Sequence, residues 1–209
     1  MIEKFVALEA VAIPFDRASV DTDAILPARY LKTIHRTGLG VHLFHAWRYD
    51  EGGNEIADFP FNAEAYRRGK ILVTGDNFGC GSSREHAVWA LMDYGIRVVI
   101  APSFSDIFYN NGLKNGLLPV RLPAAEVRRL LDGLQGFPGG SISVDLPAQT
   151  VTGPDGASCP FDIGAFPKEC LLKGLDEIAL TLEREPDIAL YERDGKAKTP
   201  WLFLDIRPG

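Results

Sequence analysis

The sequence predicts an α/β fold with a mostly parallel core and antiparallel hairpin additions toward the C-terminus. Three observations predict it. First, "KILVTGD" (70–76), "IRVVIAPS" (96–103) and "LLPVRL" (117–122) are short apolar runs of strand type. Second, the segments around them have helical spacing. In "REHAVWALMDYG" (84–95), Ala87, Ala90, Leu91 and Tyr94 recur at i, i+3, i+4 and i+7 before a stop at Gly95. "PAAEVRRLLDGL" (123–134) opens on proline and carries a stripe of Val127, Leu130, Leu131 and Leu134. A strand, a helix and a second strand in this order form a parallel, right-handed unit. Third, the texture changes after residue 136. "FPGGSISVDLPAQTVTGPDGASCPFDI" alternates short strand candidates with Pro-Gly and Asp-Gly turns, which is hairpin chemistry.

The other elements follow from the same rules. "KFVALEAVAIPF" (4–15) reads as a strand ending at a proline, and "SVDTDAILPARYL" (19–31) as a strand end followed by a loop. Residues 32–62 are rich in glycine and polar residues with scattered aromatics. That is long for a plain connection, and such loops are often functional or mobile. "FSDIFYNNGLKNG" (104–116) reads as a helix stopped by glycine, and 166–183 and 186–195 as C-terminal helices. The expected organisation is a single domain over 1–209, with the long loop at 32–62 and a C-terminal helical extension.

The chain has 209 residues, is 46% hydrophobic and has a net charge of −6, enough for a sizeable core. An acidic balance without a basic face gives no nucleic-acid footprint, and it is compatible with a local basic pocket for an acidic substrate. "MIEKFVALEAVAIPF" is interrupted by Glu3 and Glu9 and lacks signal-peptide order, and no apolar run approaches spanning length. No membrane association and a cytoplasmic location are expected. Cys80, Cys159 and Cys170 are odd in number and widely spaced, which argues against a disulfide framework and against a self-contained zinc or iron–sulfur site.

The most informative stretch is "NFGCGSSREHAVWAL" (77–91), a glycine loop between a strand and a helix. Ser82 and Glu85 have the spacing of a capping box. Gly79 and Gly81 suit a tight turn. A second reading is chemical. Ligands of open α/β sheets sit beyond the carboxyl ends of strands, and a helix N-terminus favours anions. Arg84 adds a guanidinium that matches a carboxylate, at a place where a cation opposes the helix dipole. Walker A, G-x-S-x-G and G-x-G-x-x-G patterns are absent. A nucleophilic Cys80 is a minor alternative.

This stretch resembles the signature of the small subunits of 3-isopropylmalate dehydratases, which are similar to the swivelling C-terminal domain of aconitase. The resemblance extends to residues 20–49, 98–120 and 170–183 and so covers nearly the whole chain. Val88 departs from it, standing where many relatives have proline. The resemblance implies a swivelling β/β/α fold and a separate large subunit holding a [4Fe-4S] cluster, with none bound by this chain. It implies interconversion of 2- and 3-isopropylmalate, small dicarboxylic hydroxy acids, through isopropylmaleate in leucine biosynthesis. Carried over by position, Ser82 is the base, Arg84 grips a carboxylate, and Asp23 of "DTD" supports them. Ser83 is a second substrate-contacting serine and an alternative helix cap.

Residues 28–36, "ARYLKTIHR", fall where the family places its substrate-recognition loop. Tyr30 or Leu31 would face the alkyl group, and Arg29, Lys32 or Arg36 a carboxylate. His86 is expected to be a hydrogen-bonded structural histidine. Two other readings remain: the small subunit of a related hydratase (homoaconitase, citraconate or dimethylmaleate hydratase), and a non-catalytic aconitase-like module that binds RNA.

Overall fold

The computed structural model describes residues 2–82 and 84–203. Its strands form one seven-stranded sheet in the order β4-β3-β2-β1-β5-β6-β7. Strands β1 (Ala7–Phe15), β2 (Ile71–Thr74), β3 (Val98–Ala101) and β4 (Leu118–Arg121) are mutually parallel. The antiparallel part is β5 (Ser141–Asp145), β6 (Thr150–Thr152) and β7 (Ser158–Pro160). Strand β1 joins the two halves. Its Ala12–Phe15 end pairs with β2, and its Ala7–Val11 end pairs antiparallel with β5. The mixed sheet is the one the sequence predicts. Pro119, which cannot donate to a ladder, sits in β4 at the edge of the sheet.

Both faces of the parallel half are covered, so β2 and β3 are buried at every position and read as continuous apolar runs. On one face Ile71, Val73, Val98 and Ile100 pack with Val127, Leu130, Leu131 and Leu134 of helix α5 (Ala124–Gly136). On the other, Leu72 and Val99 pack with Ala87, Val88, Ala90 and Leu91 of helix α3 (Glu85–Tyr94). Helix α4 (Asp106–Asn115) gives Phe108 to one core and Leu113 to the other.

Three elements depart from the sequence reading. Residues 19–31 are not a strand end and loop. Asp21 bridges to Cys80, and helix α1 (Thr22–Ile25) follows in one turn, capped by the Asp21 carboxylate accepting from Ala24 N–H at 2.6 Å. The 32–62 segment contains helix α2 (His45–Arg48) and short 3-10 turns. Its Phe44 and Phe61 are fully buried around Phe15, with ring centroids 5.0 and 6.0 Å from it. Those rings anchor the two ends of 39–62 in the core, while residues 32–38 and 50–58 lie mostly on the surface. Finally, 166–183 is two helices, α6 (Ala165–Lys173) and α7 (Glu177–Leu182). Gly174 stops the first, and the Asp176 side chain caps the second by accepting from Ala179 N–H at 2.8 Å. Helix α8 (Glu185–Lys198) covers the predicted 186–195 helix. Among the described residues no helix is long and apolar enough to cross a membrane.

Candidate active site

The glycine loop leaves the carboxyl end of β2 between the segments that leave β1 and β3. Gly79 N–H donates to the Val20 carbonyl (2.8 Å), and Thr22 N–H to the Cys80 carbonyl (3.0 Å). On the other side, Phe78 N–H donates to the Ser103 carbonyl and Ser105 N–H to the Phe78 carbonyl, each at 3.1 Å. The Ser105 hydroxyl donates to the Gly79 carbonyl at 2.6 Å. The three segments thus continue the parallel ladder past the strand ends, where ligands of such sheets bind.

Two glycines make this path possible. Gly79 has φ +75°, and a Cβ there would lie 2.3 Å from the Phe108 ring. Gly81 has φ +82°, with Asp21 Cβ 3.3 Å from where its own Cβ would stand.

Ser82 follows on the exposed side of the loop. Its carbonyl accepts a 2.5 Å hydrogen bond from the hydroxyl of Thr22, which is only 2% exposed. Among the described residues nothing hydrogen-bonds the Ser82 hydroxyl. The expected capping box does not form. Helix α3 begins at Glu85, with Arg84 at the N-cap position and no side-chain capping bond from it. Glu85 is therefore the first helical residue instead of the third, and its carboxylate accepts from the buried Asn115 amide at 2.7 Å instead of reaching back to Ser82. Ser83 lies outside the described residues.

Arg84 Nη1 donates to Asp23 Oδ1 at 2.5 Å, bringing together two residues that the sequence singled out. The carboxylate offsets the cation that the helix N-terminus disfavours, which removes the electrostatic objection to Arg84 at this place. Asp23 itself is not the turn-forming aspartate of "DTD", since Asp21 caps the helix.

The 28–36 segment starts as a 3-10 turn over Ala28–Tyr30. Tyr30 stacks on His42, with centroids 3.8 Å apart and planes 5° apart. Arg29 donates through Nη2 to His45 Nδ1 at 2.9 Å and lies 4.9 Å from the Tyr30 ring centroid. Burial and then the Arg29 charge push the His42 and His45 pKa values down, which keeps His45 Nδ1 available as an acceptor. Leu31 is half-buried against the core. Lys32 is exposed, with no hydrogen-bond or ion-pair partner among the described residues. The His86 ring bonds the Thr33 backbone carbonyl at 3.0 Å, and the Arg36 guanidinium lies 5.2 Å from the Trp89 ring centroid. Thr22, Asn115 and Trp89 were not singled out from sequence. The one hint was Thr22, a hydroxyl between two aspartates.

Cys80 is half-buried, and among the described residues no base hydrogen-bonds its thiol. Cys159 and Cys170 are buried in the cores, and burial pushes both thiols up in pKa. Among the described residues no three His, Cys, Asp or Glu side chains gather as a metal-binding group, so this donor set does not fit an iron–sulfur cluster.

The fold and the serine–arginine loop define an aconitase-type swivel domain. Accordingly, residues 2–125 match the family model described as the aconitase C-terminal domain. Residues 128–165 match a model described as LeuD_N, and 177–205 one described as the C-terminal domain of the 3-isopropylmalate dehydratase small subunit. The small subunit from Paramagnetospirillum magneticum is 55% identical over 201 residues, covering 96% of this chain and 100% of the relative. The one from Parvibaculum lavamentivorans has the same identity and coverage. The solved structure of 3-isopropylmalate dehydratase from Methanocaldococcus jannaschii superposes with a TM-score of 0.64 at 29% identity, covering 88% of this chain and 99% of that one. The chain belongs to the family of 3-isopropylmalate dehydratase small subunits.

Proposed function

We infer that this chain is the small subunit of a heteromeric hydro-lyase that interconverts 2-isopropylmalate and 3-isopropylmalate through isopropylmaleate, a step of leucine biosynthesis. The observation that carries the site assignment is Ser82, two residues before an arginine fixed by Asp23, in a loop at the carboxyl ends of parallel strands. The large subunit is the partner, and a cytoplasmic location belongs to the same reading.

Dehydration takes a proton from the carbon next to a carboxylate and hydroxide from the neighbouring carbon, leaving the alkene and one water. A [4Fe-4S] cluster carried by the large subunit would act as Lewis acid on the departing hydroxyl. This chain supplies the base and the positive charge. Ser82 Oγ accepts the proton. A serine hydroxyl titrates far above neutrality, so that role needs local positive potential, which Arg84 and the start of the ten-residue helix α3 provide. Arg84 uses one N–H on Asp23, and its remaining donors face the substrate carboxylate on which charge builds. The Thr22 hydroxyl fixes the Ser82 backbone and leaves its side chain to the substrate. Ser83 is the second substrate-contacting serine.

In the recognition segment, Tyr30 and Leu31 form the alkyl wall. Arg29 is already held by His45 and Tyr30, so Lys32 is the cation we assign to the second carboxylate. In the assembled enzyme, Ser82→Ala is expected to fold and bind the large subunit normally while turnover falls by roughly 10²–10⁴-fold. Turnover at the parent rate would remove Ser82 as the base.

A further inference from the structure

We propose that His86 and Trp89 are positioning residues that clamp the distal part of the substrate-recognition segment to the helix that follows the catalytic arginine, and thereby set alkyl-group selectivity. The proposal rests on the reading of residues 28–36 as the recognition segment.

Tyr30 stacks on His42 and Leu31 packs on the core, but the stretch that follows them, 32–38, has little to hold it. Residues 32–38 are largely exposed, Ile34 at 89%. Among the described residues their one other hydrogen bond is local, from His35 N–H to the Thr33 hydroxyl at 3.0 Å. Among the described residues, one hydrogen bond and one cation–π contact tie 32–38 to another element, and both end on α3. The Thr33 carbonyl only accepts, so His86 Nε2 carries the proton and donates to it at 3.0 Å. Arg36 lies over the Trp89 ring, 5.2 Å from its centroid.

The clamp is itself anchored. The two rings touch, with centroids 4.5 Å apart. Trp89 Nε1–H donates to Asn115 Oδ1 at 3.0 Å, and the buried Asn115 amide donates to Glu85 Oε1 at 2.7 Å and to the Asn111 carbonyl at 2.9 Å. One buried amide therefore fixes the indole and the first residue of α3 together, with Arg84 next in the chain. The stretch that follows the alkyl wall, which carries Lys32, and the carboxylate grip are thereby referenced to one rigid helix. Releasing that stretch leaves the base and the arginine in place but frees Lys32 beside the wall and lets the substrate's side group settle in several positions.

The test uses the complex with the large subunit and compares 3-isopropylmalate with its methyl-substituted analogue. His86→Ala is expected to raise KM for 3-isopropylmalate about tenfold, the scale of one lost hydrogen bond. It should change kcat far less and narrow the preference for isopropyl over methyl. His86→Gln, which keeps a donor at similar reach, should largely restore both. A Tyr30→Ala/Leu31→Ala variant in the same assay separates the two ideas. If it shifts alkyl preference and His86→Ala does not, the clamp is overturned and the recognition reading stands. If neither shifts preference, the recognition reading fails and the clamp with it. If His86→Ala lowers kcat and stability together and His86→Gln restores neither, His86 is merely structural and the proposal is overturned.

Discussion

Asp23 and Arg84 lie 61 positions apart, and their 2.5 Å contact is made by the fold alone. The Arg84 side chain is 24% exposed and that of Asp23 54%, so the pair adds little to stability in water. In the proposed site its role is to orient Arg84. Arg84→Lys keeps the charge and loses the planar fork, so kcat/KM should fall roughly a hundredfold, on the scale of a lost preorganised donor. Asp23→Asn should cost less in kcat/KM, and should shift unfolding stability by under about 1 kcal/mol. Steady-state kinetics and urea titration of the same variants check both. An Asp23→Asn variant with the parent kcat/KM would show that Arg84 needs no orienting partner. Ser82 and Arg84 stood out as candidates because polar residues occupy a place where a plain helix start needs none, and Asp23 because of the resemblance; the structure brings Asp23 and Arg84 together. Thr22 and Asn115 were not legible, since a buried hydroxyl or amide declares its partner only once distant segments converge.

At the scale of elements, the strands and main helices were readable because their periodicity is local. Helix α1 was missed because one turn carries no period and its cap, Asp21, reads equally well as a turn residue. The aromatics of 32–62 looked like loop decoration, because their burial around Phe15 depends on the crossover between β1 and β2. The glycine loop was readable as a tight turn, but its two backbone flanks were not. Those flanks give the site its stiffness, and Gly79 is the point where they are most sensitive. Gly79→Ala adds a strained left-handed residue and a clash with Phe108. It should cost about 2–4 kcal/mol, from backbone strain plus overpacking. The melting temperature, followed by circular dichroism, should then drop by roughly 5–15 °C. A melting temperature unchanged from the parent would mean that the loop relaxes without the ladder on either side.

For the whole molecule, the sheet, both cores and the serine–arginine loop sit in one chain, while the chain's own residues do not gather into a metal-binding group among those described. In the proposed function, the base and the carboxylate grip form half of a site whose other half is assigned to the large subunit. Sequence pointed to this division through cysteine spacing, and the structure adds that two of the three cysteines are buried away from the loop. The most direct measurement is reconstitution. This chain and the large subunit, each alone and then mixed under anaerobic conditions, are supplied with 3-isopropylmalate, and isopropylmaleate is followed by its ultraviolet absorbance. Formation by the mixture alone is the predicted result, lost when Ser82→Ala replaces the parent chain. Equal formation by the large subunit alone, or by the Ser82→Ala mixture, would contradict this division of the site.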